Sequence, residues 1–457
     1  MSHQFYSNLI MKNVLIAGAG KSSTSLINYM LRHSETENWN VTVIDSNLEA
    51  IEEKLQGHKN GKAVVLDIND TEARRAQVQQ SDIVLSVMPP HLHFLLAQDC
   101  LVYKKHLITS SYISEDILAL NDQAAAEQLL FMCEMGCDPG IDHMSTAKLI
   151  DEINAEGGDI SSFISCCGGL VAPESDTNLW HYKISWNPYN VVTAGQAGAM
   201  WFENERVIRK EYKDLFNYEG AIEVEGFKDL AYYPNRDSIK YKNVFNQPNL
   251  HTFVRATVRY KDYMIGWSKV VDLKLTNIDD EVDLTKQLSY KDWVANTNNI
   301  AKAELDEVLK AKYNFNEKTF ELFNELGLLS NEIISIKDVS KTSSAKILQD
   351  LIERKWKLQD EDKDMIIMQH LVKYELGGRL KEYESTLVVI GEDRINSAMA
   401  KTVGLPMAIL GHKILDETFS TEHINGVKMP IQKEVYSLVL PLLEQEGIKF
   451  VEHEKSL

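Results

Sequence analysis

The chain has 457 residues, 44% hydrophobic, 25% charged and 9% aromatic, which sets it among ordinary globular proteins of two or three domains and excludes disorder as its main theme. Lys plus Arg number 48 against 67 Asp plus Glu, and the formal net charge of −19 repels phosphate backbones and anionic lipid, so nucleic-acid and membrane roles are set aside. The apolar runs fall far short of the roughly 20 residues that span a bilayer, and the opening MSHQFYSNLI lacks the basic and apolar regions of a secretory signal.

Val14-Leu15-Ile16-Ala17 is apolar without polar alternation, the pattern of a strand buried on both faces of a parallel sheet. Gly18-Ala19-Gly20 ends it, and Leu26, Ile27, Met30 and Leu31 then fall on one side of a helix over 21–31. The next strand, Val41-Thr42-Val43-Ile44, closes on Asp45, and a helix follows at 49–55. Strands are predicted at 63–68, 82–87, 106–110 and 129–134, with helices at 70–79, 91–103 and 115–127 between them. This alternation over residues 11–138 predicts an α/β fold, a doubly wound parallel sheet of the Rossmann type.

In such a sheet the first turn lets the chain approach a pyrophosphate, and the following helix start offers unpaired N–H groups and a positive dipole end. Gly18, Gly20, Lys21, Ser22 and Ser23 are the cofactor candidates, in a G-x-G-x-x-S string whose small Ser23 stands for the third glycine. A nucleotide phosphate loop ending in Gly20-Lys21-Ser22 would need glycine where Leu15 stands. Asp45 can accept both ribose hydroxyls but would repel a 2′-phosphate, and no Arg follows in Ser46-Asn47-Leu48. NAD is therefore expected over NADP.

Polar clusters end the later strands: Ser110-Ser111-Tyr112, then Cys137-Asp138-Pro139-Gly140-Ile141-Asp142-His143, then Cys166-Cys167-Gly168-Gly169. Open α/β sheets bind ligands at these strand ends. The five cysteines, Cys100, Cys133, Cys137, Cys166 and Cys167, are too few and too clustered for a secreted disulfide framework, which points to the cytoplasm. Their spacing does not suit one tetrahedral ion, so no metal site is expected. Residues 300–382 read as mostly helical, followed by a strand at 387–390, helices at 397–403 and 434–446 and a terminal strand at 447–451.

Together with Tyr182-Lys183-Ile184-Ser185-Trp186, Tyr233-Pro234-Asn235-Arg236-Asp237-Ser238, the segment 364–370 and the string 399–406, these clusters resemble the glutamate-forming saccharopine dehydrogenases, also called saccharopine reductases. The resemblance runs over nearly the whole chain after Met11. It implies NAD(P)-dependent oxidative cleavage of saccharopine to L-glutamate and 2-aminoadipate 6-semialdehyde in lysine metabolism, or the reverse condensation, by a homodimer. It implies a Rossmann domain at 11–138 with about 425–457, an inserted mixed α/β substrate and dimerisation domain at 139–315 with about 385–424, and a helical region at 316–384. Ser111, Tyr112, Asp138, Cys167, Trp186 and Arg236 become the expected substrate contacts, and Ser86, Val87, Met88 and Pro89 a cofactor wall.

Saccharopine carries three carboxylates, so an acidic protein must concentrate donors locally. Arg236 can grip one with paired hydrogen bonds, with Asn235 and Ser238 adding neutral donors. Loss of hydride beside the secondary nitrogen leaves an imine that water hydrolyses, and the nitrogen must first shed its proton. Asp138 can bind the amine directly, although its ordinary pKa makes it a weak base; His93 and His143 have better-matched pKa values, and each can equally be a packing or capping residue. The chain departs from the family pattern at Val171, where proline is usual, and at Asn178-Leu179-Trp180-His181, where a proline-glycine turn is usual. A related imine-reducing enzyme, such as a carboxyalkyl polyamine dehydrogenase, and a non-catalytic cofactor-binding scaffold are the alternatives.

Overall fold

The computed structural model describes residues 11–217, 220–247 and 249–456; the opening segment read for a secretory signal lies outside them. Two compact units divide the chain: one runs up to Glu152 and takes in Ile395–Lys449, the other comprises Ile153–Arg394 and the residues from Phe450 on. Among the described residues no helix is long and apolar enough to cross a membrane.

In the first unit β1 (Lys12–Ala17), β2 (Trp39–Asp45), β3 (Gly61–Val65), β4 (Ile83–Ser86), β5 (His106–Thr109), β6 (Leu130–Met132) and the strand Gly426–Lys428 form one sheet. Their order is 426–428, β6, β5, β4, β1, β2, β3, every pair parallel. The chain winds from β1 to β3 on one side, then returns to β4 on the other, so the β1–β4 junction is the switch point where such sheets open a crevice. Successive residues pack on opposite faces. Leu15, Ala17, Val84 and Leu107 join a cluster with Val78, Leu96, Ala97 and Cys100 of the helices Thr71–Gln80 and His93–Tyr103. On the other side Gly411 of the helix Ala398–Leu415 lies against Leu85 and Ile108. A Cβ on Gly404 of that helix would stand 2.7 Å from the Leu26 backbone nitrogen of α1 (Thr24–Ser34), so this glycine lets the two helices touch.

A buried ion pair ties the helices on the first face. Arg74 donates from Nε to Asp99 Oδ2 at 2.6 Å and from Nη1 to the Ile68 carbonyl at 2.6 Å, while Arg75 reaches Asp99 Oδ1 at 2.9 Å. Asp99→Ala would strand the buried Arg74 cation and is expected to cost about 3 kcal/mol of folding stability, read as a lowered denaturant midpoint.

In the second unit the longest sheet path runs 220–221, 230–234, 252–260, 159–171, 364–376, 379–390 and 450–456. It is antiparallel except where Thr252–Tyr260 runs parallel to Asp159–Val171. Its apolar body is rich in tryptophan: Trp180, Trp201, Trp267, Trp293 and Trp356 are all buried there.

Four expected domain limits differ, the first being that residues 139–152 belong to the unit of the parallel sheet. The segment 395–424 packs with the parallel sheet, because its helix covers that sheet's open face. The end of the chain, 450–456, pairs with Arg379–Ile390 and so belongs to the second unit. The region 316–384 holds helices Glu317–Leu326 and Ser344–Lys355, but also the long strand Asp364–Leu376 and the start of its partner.

Candidate functional site

The turn after β1 separates the tasks of its two glycines. Gly18 has φ +106, and a Cβ there would come within 3.2 Å of the Val87 backbone and side chain and 3.3 Å of Met88 Sδ. The glycine thus lets 87–88 close against the turn, and the Val87 N–H donates to the Ala17 carbonyl at 2.9 Å. Gly20 is extended, φ −70 and ψ −175, and a Cβ on it would meet nothing within 4 Å. That open space over a backbone turn at a helix start fits a pyrophosphate. Ser23 is buried and donates from both N and Oγ to the Gly20 carbonyl, at 3.2 and 2.8 Å, closing the turn before α1 begins. Lys21 is exposed and Ser22 half-buried. Val87 and Met88 are half-buried beside the turn and Pro89 is exposed, whereas Ser86 is wholly buried behind them.

Asp45 does not stand as a bare carboxylate at the end of β2. Its Oδ2 accepts from the Ala19 N–H at 2.8 Å and its Oδ1 from the Asn47 N–H at 3.0 Å, so it pins the glycine turn to the second strand. A charge spent on backbone donors is a weaker bar to a neighbouring phosphate than one facing the ligand.

Beyond β4 and β5 the polar clusters are wired together. Ser86 Oγ lies 2.9 Å from His93 Nδ1, and His93 Nε2 lies 2.9 Å from Ser111 Oγ. Burial, with the charge of His91 as a smaller cause, pushes His93 down to about 4, so it is neutral near pH 7. The Tyr112 hydroxyl donates to Asp138 Oδ1 at 3.2 Å. Asp138 is half-buried within an otherwise buried stretch from Phe131 to Gly140. His143 sits between two acids, Nε2 2.8 Å from Glu134 Oε2 and Nδ1 3.3 Å from Asp142 Oδ2, all three buried. Both histidines weighed as bases are therefore held inside the frame of the site.

Glu134 is the residue that sequence reasoning missed. Its Oε1 accepts from the Ile113 N–H at 3.1 Å and its own N–H donates to the Ser111 carbonyl at 3.0 Å, which fastens the Ser111–Ile113 loop to the strand leading into Asp138. A lone acid in the apolar run Leu129-Leu130-Phe131-Met132-Cys133-Glu134-Met135 was the available sign.

In the second unit Cys167, Trp186 and Arg236 gather around the strand Thr252–Tyr260. Cys167 stands beside Thr257, which pairs on its other side with Tyr233. Trp186 donates from Nε1 to the Tyr182 hydroxyl at 3.0 Å, and the Tyr182 ring lies 5.2 Å from the buried guanidinium of Arg259. Arg236 is exposed, with φ +52, in the two-residue strand Arg236–Asp237 that pairs with Ala199–Met200, and the Asn235 N–H just before it donates to the Arg255 carbonyl at 2.7 Å. Ser238, expected as a neutral donor to substrate, is buried and its oxygen instead accepts from the Arg255 N–H at 2.9 Å.

Of the two departures from the family pattern, Val171 and Trp180 are core residues. Val171 ends the long strand paired with Asp364 and is buried. Trp180 donates from Nε1 to the Leu322 carbonyl at 2.9 Å, and Gly266 makes room for its ring, since a Cβ there would come within 2.5 Å of it. All five cysteines are buried, and none of them is in a disulfide.

Comparison with known proteins matches two family descriptions: "Saccharopine dehydrogenase NADP binding domain" over residues 14–132 and "Saccharopine dehydrogenase C-terminal domain" over 136–448. A saccharopine dehydrogenase (NADP(+), L-glutamate-forming) of Pyricularia oryzae is 30% identical over 96% of this chain and 98% of its own. The mitochondrial alpha-aminoadipic semialdehyde synthase of Bos taurus is 31% identical over 96% of this chain, which spans 47% of that longer protein. The solved apo saccharopine dehydrogenase (L-Glu forming) of Saccharomyces cerevisiae superposes with a TM-score of 0.86 at 28% identity, covering 98% of this chain and all of that one. These findings overturn the expected preference for NAD: the matched domain is described as NADP binding, and the full-length fungal relatives are named for NADP(+). The Asp45 carboxylate, already bonded to the Ala19 and Asn47 amides, does not by itself bar a 2′-phosphate.

Proposed function

The chain belongs to the saccharopine dehydrogenase family, and on that premise we propose that it catalyses the NADP-dependent oxidative cleavage of saccharopine to L-glutamate and 2-aminoadipate 6-semialdehyde, or the reverse condensation, in lysine metabolism. The carrying observation is the match of both family domains, end to end, on a chain that keeps the open Gly20 turn and the Tyr112–Asp138 pair. Bound at the glycine turn, NADP would supply the acceptor for the hydride on the carbon beside the secondary nitrogen. Water then adds to the resulting C=N bond, the C–N bond breaks, and glutamate leaves with the nitrogen.

The chain's own residues bind, orient and manage charge. Gly18, Gly20, Lys21, Ser22 and Ser23 form the turn that holds the pyrophosphate, with Val87, Met88 and Pro89 beside it; Ser86 supports that wall from within. Asp138, steadied by the Tyr112 hydroxyl, draws the secondary ammonium into place, and the nitrogen releases its proton to solvent before the hydride leaves the neighbouring carbon. Ser111, Cys167 and Trp186 contact the substrate, and Arg236 clamps a carboxylate. The protein acts as a cytoplasmic homodimer in this reading; cysteines outside any disulfide accord with a reducing compartment, and light scattering on the purified chain reads the dimer.

The test is appearance of the reduced-nicotinamide band on mixing the enzyme with saccharopine and NADP+, then NAD+. Reduction with NADP+ is expected; none with either nicotinamide, or turnover of a carboxyalkyl polyamine alone, overturns the reading. Asp138→Asn, which keeps the shape and removes the charge, is expected to lower kcat/KM for saccharopine by about tenfold to a hundredfold at neutral pH, with the KM for NADP+ unchanged.

A further inference from the structure

We propose that His93 is a positioning residue that sets the hydrogen-bond polarity of Ser111: Ser86 donates to Nδ1, Nε2–H donates to Ser111, and the Ser111 hydroxyl proton is left to point at a ligand oxygen. Ser86 is the last residue of β4 and 0% exposed, His93 opens the helix His93–Tyr103 and is 1% exposed, and Ser111 is half-buried. The two 2.9 Å contacts make one line through the imidazole, from a sealed hydroxyl to an accessible one.

Proton counting fixes the direction. A neutral imidazole has one N–H and one acceptor nitrogen, and each serine has one proton to give. If Nδ1 carried the hydrogen, it would donate to Ser86, and the Ser86 proton would need another acceptor. Among the described residues His93 is the one side-chain partner of that hydroxyl, and a sealed donor left unmet is costly. If Nδ1 is the acceptor, Ser86 is satisfied and Nε2–H points at Ser111. The imidazolium, which would donate both ways, is disfavoured by burial.

The consequence for chemistry is specific. Ser111 receives one hydrogen bond from behind, so its own proton faces forward and can be given to an oxygen acceptor. On the functional reading above, which this step rests on, that partner is a saccharopine carboxylate. His93 is then neither acid nor base in the reaction, because its acceptor nitrogen is already filled.

Two experiments separate this inference from the reading it rests on. Proton–nitrogen correlation spectra of the full-length protein labelled with 15N-histidine, with His93 assigned by contacts to Ser86 and Ser111, are expected to show a protonated Nε2 and a bare Nδ1 at pH 7. The reverse tautomer, or a charged ring, overturns the proposal whatever the substrate proves to be. In kinetics, His93→Leu is expected to raise the KM for saccharopine about tenfold while kcat falls less than about threefold and the KM for NADP+ stays within about twofold. His93→Gln, whose amide can still donate at the Nε2 position, is expected to recover most of that loss. An unchanged saccharopine KM in a folded His93→Leu enzyme, equal weakening of both substrates, or no rescue by Gln overturns it.

Discussion

Gly20→Val is expected to leave the melting temperature close to that of the parent protein while weakening NADPH binding by about two to three orders of magnitude. Gly20 has φ −70, which any residue adopts, and a Cβ there would touch nothing within 4 Å, so the folded protein makes no demand for glycine at this position. What needs the space is a ligand that comes down onto the backbone. A branched side chain holds a pyrophosphate away from the N–H groups at the start of the helix and forfeits the charge-assisted bonds made there. Gly18 provides the contrast: with φ +106 and Val87 3.2 Å from a would-be Cβ, Gly18→Ala is expected to destabilise the fold itself. Fluorescence titration with NADPH beside a thermal melt checks both. Parental affinity in a normally folded Gly20→Val protein would sink the assignment of this turn to the cofactor.

The opening half of the parallel sheet was legible because β1, β4 and β5 are short, largely apolar runs between punctuating residues, as burial on both faces produces, and β2 is a β-branched run closed by Asp45. The same burial concealed the strand Asp364–Leu376. Lying between Asp159–Val171 and Arg379–Ile390, it is covered on both faces over most of its length, so it shows no period of two, and its Met, Gln, Leu, Lys and Glu content favours a helix when read locally. Tertiary pairing overrides that preference. The last strand, Phe450–Ser456, was visible in outline, but its sheet was not: a charged, exposed edge strand carries no mark of its partner, and register with Arg379–Ile390 decides it. At the site the polar strand ends around Ser111 and Asp138 stood out in the text. The bonds of the Asp45 carboxylate and the neutrality of the His93 ring were not legible there, because they depend on the Ala19 and Asn47 amides and on burial, neither of which spacing reveals.

Arg236→Met is expected to reduce kcat/KM for saccharopine by about two to three orders of magnitude, with the KM for NADP+ and the folding stability held to within about twofold and about 1 kcal/mol respectively. The stability half follows from how the turn is held. Asp237 caps the helix Ser238–Val244 by accepting from the Ile239 and Lys240 N–H groups at 2.8 and 3.3 Å, and both Asn235 and Ser238 bond to the Arg255 backbone. The backbone of residue 236 is thus fixed by its neighbours, and its left-handed φ of +52 costs methionine no more than arginine. The activity half follows from charge. In a chain with a net charge of −19, a substrate bearing three carboxylates gains little from the general field and depends on individual cations, and an exposed guanidinium on a rigid turn offers two parallel donors to one carboxylate. Arg236→Lys keeps the charge and loses the fork, so it is expected to fall between the two, about tenfold below the parent. Should Arg236→Met match the parent on saccharopine, the carboxylate clamp lies elsewhere, and the two buried arginines of the neighbouring strand, Arg255 and Arg259, become the groups to substitute next.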